Sequence, residues 1–154
     1  MIGSDCVGGY TRLVALKLTL PPDLDARLAA LGEAIGAASP DVRFAYLFGS
    51  AATGRLTARS DVDVAIYVAS GADGHAARLT AARAAARQLA TDAVDVVLLN
   101  TAPLSLSGRV LGSRRVIAER DPYARHAYES LTLRKFHDCR VREHRILAAR
   151  AAHG

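Results

Sequence analysis

The sequence predicts an α/β fold, because short apolar runs alternate with longer helical stretches. Three runs rich in β-branched and apolar residues are typical of strands: 42–48, 61–69 and 93–99. The clearest helical stretch lies between the second and third runs, at 75–90, where Ala, Leu and Arg predominate. This alternation favours a sheet with helices packed against it, in a chain long enough to bury one core.

The first helix is predicted to begin at Asp23, because Pro21 and Pro22 end the extended stretch at 11–20. Apolar residues then recur with helical spacing, which predicts one continuous amphipathic helix. They are Leu24, Leu28, Leu31 and Ile35.

The helix at 75–90 is predicted to bury one stripe of small and apolar side chains. Its members are Leu79, Ala82, Ala86 and Leu89. The strand that follows is apolar on both faces except at Asp95, a pattern typical of a strand that is covered on both sides.

The last third of the chain is predicted to be mostly helical, and it carries the basic charge. A helix from about Pro103 and a short strand at 114–119 precede a final helix, which begins at Pro122 and runs to about Ala151. Apolar and aromatic residues lie among its arginines: Tyr128, Leu131, Phe136 and Ile146. Residues 101–154 hold 11 Lys and Arg against 5 Asp and Glu, a surface that suits solvent, an acidic partner, RNA or nucleotide phosphates.

Composition argues against a membrane or secreted protein. No apolar run approaches the length of about 20 residues that spans a bilayer, and residues 1–10 lack the features of a signal peptide. Two cysteines, Cys6 and Cys139, are too few for a disulfide framework. We therefore expect a cytoplasmic protein and interpret residues 1–154 as a single domain, with a motif core at about 40–100 and a basic, mostly helical part at about 101–154.

Two aspartates, Asp61 and Asp63, lie in the apolar strand at 61–69. On a strand, residues two apart point to the same face and lie about 6 to 7 Å apart, so these carboxylates would repel each other unless a cation lay between them. The apolar side chains point to the opposite face: Val62, Val64, Ile66 and Val68. Because Mg²⁺ prefers oxygen ligands, the strand predicts a metal site.

A Gly-Ser pair, Gly49 and Ser50, ends the first strand and is separated from Asp61 by ten residues. Glycine lets a phosphate approach the backbone, and Ser50 offers a hydroxyl and an N–H group. Neither half of this pattern is specific alone, since Gly112–Ser113 and Asp23–Asp25 repeat the halves separately. Together, across a strand, a turn and a second strand, they predict phosphate and metal binding at one place.

The stretch "YLFGSAATGRLTARSDVDVAIYV" at 46–68 resembles polymerase-β-type nucleotidyltransferases, and within them the minimal nucleotidyltransferase (MNT) group. "VDVVLLN", which contains Asp95, is similar to the third acidic strand of that family, and residues 108–139, with Asp138, resemble the C-terminal region of MNT proteins. The resemblance implies a mixed sheet flanked by helices with a long C-terminal helix. It also implies transfer of AMP from ATP with Mg²⁺ and two-metal-ion chemistry.

The resemblance further assigns roles to residues. Metal binding and catalysis are expected from Asp61, Asp63 and Asp95. Nucleotide binding is expected from Gly49, Ser50, Ser60 and Arg55. Many members carry a basic residue where this chain has Thr53, so Arg55 or Arg59 is expected to replace its phosphate contact.

Small MNT proteins commonly act as antitoxins that transfer AMP to a tyrosine of a HEPN ribonuclease toxin. The resemblance therefore implies a HEPN partner in a hetero-oligomer, and the short chain leaves little room for a further small-molecule domain. Two alternatives remain: an aminoglycoside-type adenylyltransferase, and an antitoxin that neutralises its partner by binding alone. RNA binding is disfavoured, because the basic third has few aromatic residues on which bases could stack.

Overall fold

The computed structural model describes residues 20–152. A four-stranded sheet lies at its centre, in the order β3-β2-β1-β4. The strands are β1 (Val42–Phe48), β2 (Val62–Val68), β3 (Val94–Leu98) and β4 (Arg115–Glu119). β1 pairs antiparallel with β2 and β4, whereas β2 and β3 are parallel, so the expected mixed sheet is confirmed.

Six helices complete the described part of the chain. They are α1 (Leu24–Ala29), α2 (Leu31–Ala38), α3 (Gly49–Ala52), α4 (Gly74–Leu89), α5 (Leu104–Ser113) and α6 (Pro122–Ala152). The long C-terminal helix and its start at Pro122 are confirmed. The extended stretch predicted at 11–20 lies outside the described residues except for Leu20.

The sheet is covered on both faces. Val62, Val64 and Ile66 of β2 pack with α1, α2 and α4 in one hydrophobic cluster. Ala65 and its partly buried neighbour Tyr67 belong to a second cluster with α5 and the start of α6. The alternation predicted for β2 is therefore correct, but its second face is acidic only where the strand begins.

The predicted first helix is interrupted at Ala30. The Ala30 N–H donates to the Arg27 carbonyl, a tight turn that ends α1, and α2 begins at the next residue. Leu28 and Leu31 remain buried on both sides of this break, because their spacing of three residues suits one helix or two. The apolar repeat therefore predicted the buried face correctly and the continuous helix wrongly.

The buried stripe predicted for α4 is only partly correct. Leu89 is fully buried, but Leu79 is 42% exposed. The rest of the buried face consists of alanines: Ala77, Ala81, Ala84 and Ala85. Their small side chains let α4 pack closely against α2 and β3. The prediction was wrong at Leu79 because it took the large apolar side chain, and not these alanines, as the sign of the buried face.

Helix α6 is packed only along its first half. Glu129 and Thr132 are its buried residues, whereas the predicted apolar positions Leu131 and Ile146 are about half exposed. From 137 to 152 every residue is exposed. Within residues 20–152, no helix has both the length and the apolar character needed to cross a membrane.

Candidate active site

The strand register brings the predicted acids and the Gly-Ser pair to one edge of the sheet. Asp63 lies opposite Asp95 across the parallel pair of β2 and β3. On its other side, Asp63 lies opposite Phe48, the last residue of β1, so Gly49 follows directly beside it. Residues distant in sequence thus meet at one point.

Gly49 is the residue that permits this meeting. Its φ of +64° is in the left-handed region, and a Cβ at this position would lie 2.7 Å from Asp63 Oδ2. The Gly49 N–H donates to Ser113 Oγ at 3.0 Å, which ties the turn to the end of α5. Glycine therefore serves both the backbone conformation and the position of the Asp63 carboxylate.

The turn after Gly49 is held by its own hydroxyl and backbone groups. Thr53 Oγ1 donates to the Gly49 carbonyl at 3.1 Å, and the Arg55 N–H donates to the Ser50 carbonyl at 2.9 Å. Thr53, which stands where a basic residue was expected, thus closes the short helix α3.

A cavity of about 390 Å³ opens at this point of the sheet. Asp63 and Asp95 line it together with Gly49, and α5 supplies a wall that includes Arg109 and Ser113. A larger cavity of about 860 Å³ lies between α1, α3 and β4 but has none of the three predicted metal ligands in its lining. The smaller cavity is therefore the candidate active site, because it contains two of the predicted metal ligands.

The carboxylates at this edge interact as like charges. Burial raises the pKa of Asp63, and the neighbouring charges of Asp95 and Asp61 raise it further, while the Arg109 charge acts in the opposite direction. Asp63 is partly buried, whereas Asp61 precedes β2 and is exposed, as is Asp95. The picture of two acids inside a buried strand is thus corrected, because the strand begins only after Asp61.

The donor set fits a hard divalent cation in part. Among residues 20–152, no three or more His, Cys, Asp and Glu side chains form a group that could hold a metal ion as they stand. Mg²⁺ needs only one or two carboxylates when substrate phosphates and water fill the other positions. Asp63 and Asp95, which lie opposite each other on two neighbouring strands, satisfy that requirement.

The other predicted nucleotide-binding residues lie outside the cavity lining. Ser60 Oγ accepts the Thr57 N–H at 2.9 Å and so stabilises the loop before β2. Arg55 and Arg59 are exposed, and neither they nor Ser50 line the cavity.

Two polar residues of the cavity lining were not predicted as site residues, Arg109 and Ser113. Both come from α5, and no motif in the sequence marks them. Ser113 belongs to the Gly-Ser pair that was set aside because no paired aspartates follow it. Only the packing of α5 over the sheet brings it to Gly49.

A second cluster of charges lies next to this site, around the buried carboxylate of Glu129. Arg114 donates to Glu129 from Nε at 3.0 Å and from Nη2 at 3.1 Å, and Arg125 Nη1 donates at 2.9 Å. Tyr46 Oη donates to the same carboxylate at 2.7 Å, and Arg125 also pairs with Glu119. Burial opposes ionisation of Glu129, but these hydrogen bonds outweigh it and lower its pKa.

The chain belongs to the family described as polymerase beta, nucleotidyltransferase, because the model of that family matches residues 33–123, more than half of its length. The matched region contains the whole sheet and every residue that lines the cavity. The protein is therefore a nucleotidyltransferase.

Solved structures with the same fold come from toxin–antitoxin complexes. A toxin–antitoxin structure with AMP-PNP matches with a TM-score of 0.62 and 24% identity, covering 76% of this chain and 92% of that one. The tri-AMPylated Shewanella oneidensis HEPN toxin in complex with MNT antitoxin matches with a TM-score of 0.61 and 21% identity, covering 82% and 97%. A search by sequence among curated proteins found no match.

Proposed function

We propose that this protein is an antitoxin that transfers AMP from ATP to a tyrosine of a cognate HEPN ribonuclease toxin. The observation that carries the proposal is the meeting of Gly49, Asp63 and Asp95 around one cavity in a member of the nucleotidyltransferase family. The HEPN acceptor is supported by the shared fold, since one structure of that fold is an MNT antitoxin with an AMPylated HEPN toxin.

Asp63 and Asp95 would hold Mg²⁺, with Asp61 joining them when nucleotide phosphates bring the cation and the loop before β2 together. When bound, Mg²⁺ would neutralise the triphosphate and stabilise the attacking and leaving oxygens, in the manner of two-metal sites. The carboxylates themselves orient the ions and give the site its selectivity for hard cations.

The transfer step forms one bond and breaks one. The phenol oxygen of the acceptor tyrosine attacks the α-phosphorus of ATP, the bond from that phosphorus to the bridging oxygen breaks, and pyrophosphate leaves. Asp95, exposed at the edge of the cavity, accepts the phenol proton.

The turn after β1 would position the phosphates. Gly49 has no side chain to obstruct their approach, and Ser50 offers its N–H and hydroxyl at the start of α3. In this proposal, Ser60 and Arg55 shape the loop between α3 and β2. Arg55 or Arg59 contacts the nucleotide directly when the bound nucleotide orders that loop.

The test is to incubate the protein with ATP, Mg²⁺ and its partner, and to weigh the partner by mass spectrometry. The partner should gain one or more AMP units and should stay inactive after the two proteins are separated, because a covalent change outlasts the complex whereas inhibition by occupancy does not. A partner of unchanged mass that recovers its activity on separation would instead support an antitoxin that acts by binding alone.

An aminoglycoside in place of the partner tests the second alternative. AMP transfer to the aminoglycoside and none to the partner would replace the proposed acceptor while leaving the nucleotidyltransferase site in place.

A further inference from the structure

We propose that Arg109 binds the phosphates of ATP, as a cation supplied from α5 to a cavity that the arginines of the sequence motif, Arg55 and Arg59, do not line. The inference rests on the proposed nucleotidyl transfer and names a residue for the triphosphate side of that site. Its first support is position, since Arg109 lines the cavity together with Gly49, Asp63 and Asp95.

The packing of α5 directs Arg109 toward the cavity. Gly108 lies directly against the ring of Phe136, so closely that a Cβ on Gly108 would be 2.4 Å from it. Val110 is fully buried on the side of the second core cluster. Arg109 and Ser113, four residues apart, share another face of the helix, and Ser113 is fixed by its hydrogen bond to the Gly49 N–H.

Arg109 forms no ion pair in the part of the chain that the structure describes. Within residues 20–152, the arginines in ion pairs are Arg27, Arg114 and Arg125. Its guanidinium is nonetheless near enough to Asp63 to act on that carboxylate electrostatically. An arginine held at an acidic cavity without a carboxylate partner of its own is available to an anionic ligand.

A triphosphate requires such a group at this site. The two aspartates that line the cavity, Asp63 and Asp95, repel an anion, and the position where a basic residue was expected holds Thr53. Among the residues that line the cavity in the described part of the chain, Arg109 is the basic one. A guanidinium can donate two parallel hydrogen bonds to phosphate oxygens, which makes arginine suited to this role.

The experiment measures nucleotide binding by the full-length protein alone, with Mg²⁺ present. A fluorescent, non-hydrolysable ATP analogue is displaced by ATP and, separately, by inorganic tripolyphosphate. Arg109→Ala should weaken both competitors by about 10-fold or more, the effect of losing a charged hydrogen bond, and Arg109→Lys should recover part of that loss. Arg83→Ala on α4, an exposed arginine on the opposite face of the sheet, is the matched control and should bind as wild type does.

Unchanged tripolyphosphate binding by a folded Arg109→Ala protein would overturn the inference, and so would a loss confined to ATP, which would place Arg109 at the base or ribose. Because no acceptor is present, the result is independent of the partner. Normal ATP binding with no AMP on the partner would contradict the proposed acceptor alone, whereas a wild-type protein that binds no ATP would contradict both proposals.

Discussion

Two clusters of charged side chains lie near the C-terminal half of α5, and they differ in how their charges are balanced. Around Glu129, two carboxylates meet two arginines in ion pairs: Glu119, Glu129, Arg114 and Arg125. At the cavity, Asp63 and Asp95 lie with Arg109, and the charge of Asp61 also acts on Asp63; none of these four residues forms an ion pair within residues 20–152. The first cluster is complete as it stands, whereas the second has an excess of negative charge that bound metal ions would offset.

The difference separates stability from function. A balanced, hydrogen-bonded cluster stabilises the packing of α6 on the sheet, and losing one partner should cost stability before it costs activity. An unbalanced cluster is unfavourable in the free protein because its like charges repel. Substitution of its acids should therefore cost activity and not stability.

Removing the acids of the unbalanced cluster should abolish activity without loss of fold. The double variant Asp61→Asn, Asp63→Asn should transfer no AMP to the partner, because two of the three proposed Mg²⁺ ligands are gone. Its thermal midpoint should equal or slightly exceed that of wild type, since like-charge repulsion is relieved. The variant should still bind the partner, because the basic surface of residues 101–154, which suits an acidic partner, is unchanged. Wild-type transfer rates from the double variant would sink the assignment.

Gly49→Val should weaken ATP binding strongly and should have a smaller effect on the free energy of unfolding. The left-handed φ of +64° disfavours a β-branched residue by about 1 to 2 kcal/mol. The added side chain must also displace Asp63, whose Oδ2 would lie 2.7 Å from the new Cβ. ATP titration of the folded variant checks this prediction. Gly54→Val is the matched control, because Gly54 also has a positive φ but has open space around it. Equal ATP affinity in the two variants would show that the turn at Gly49 does not contact nucleotide.

Glu129→Gln should reduce stability and leave AMP transfer nearly intact. Removing the charge leaves Arg114 and Arg125 without their shared carboxylate, a loss of about 3 kcal/mol by analogy with broken buried pairs. Urea unfolding measures the loss. An unchanged unfolding free energy at neutral pH would refute the structural role of this cluster.

The same variant should change the pH dependence of stability. The pKa of Glu129 is lowered in the folded state, so the unfolded chain takes up the proton first as pH falls. The stability from this group is therefore present above its ordinary value near 4.5 and is lost as pH falls below it. The free energy of unfolding of the wild-type protein should therefore fall as pH drops below this value, because the contribution of Glu129 is lost. The Glu129→Gln variant, which lacks this contribution, should not show that fall.

Tyr128→Phe should be neutral or slightly stabilising. The Tyr128 hydroxyl is buried without a hydrogen-bond partner in the described part of the chain, in contrast to Tyr46, which donates to Glu129. Removing an unsatisfied buried hydroxyl costs nothing and can return about 1 kcal/mol. Tyr46→Phe should instead destabilise. A destabilised Tyr128→Phe protein in urea unfolding would mean that the hydroxyl has a partner.

The sequence predicted the parts of the site that depend on strands. Alternation and β-branched residues placed β1 at 42–48, and the acids at 63 and 95 then met because β2 and β3 are parallel neighbours. The contributions of α5 could not be predicted, because Arg109 and Ser113 reach the site through the packing of one helix over a sheet. The break at Ala30 was equally invisible, since it preserves the apolar spacing.

The central claim is that the unbalanced cluster transfers the α-phosphate with its nucleoside to a protein acceptor. The most direct measurement uses ATP with radioactive phosphorus at either the α or the γ position, together with Mg²⁺ and the partner. The partner should carry label from α-labelled ATP and none from γ-labelled ATP, and the Asp61→Asn, Asp63→Asn variant should give neither signal. Label from the γ position would identify a phosphoryl transfer instead, and an unlabelled, reversibly inhibited partner would contradict catalysis as the function.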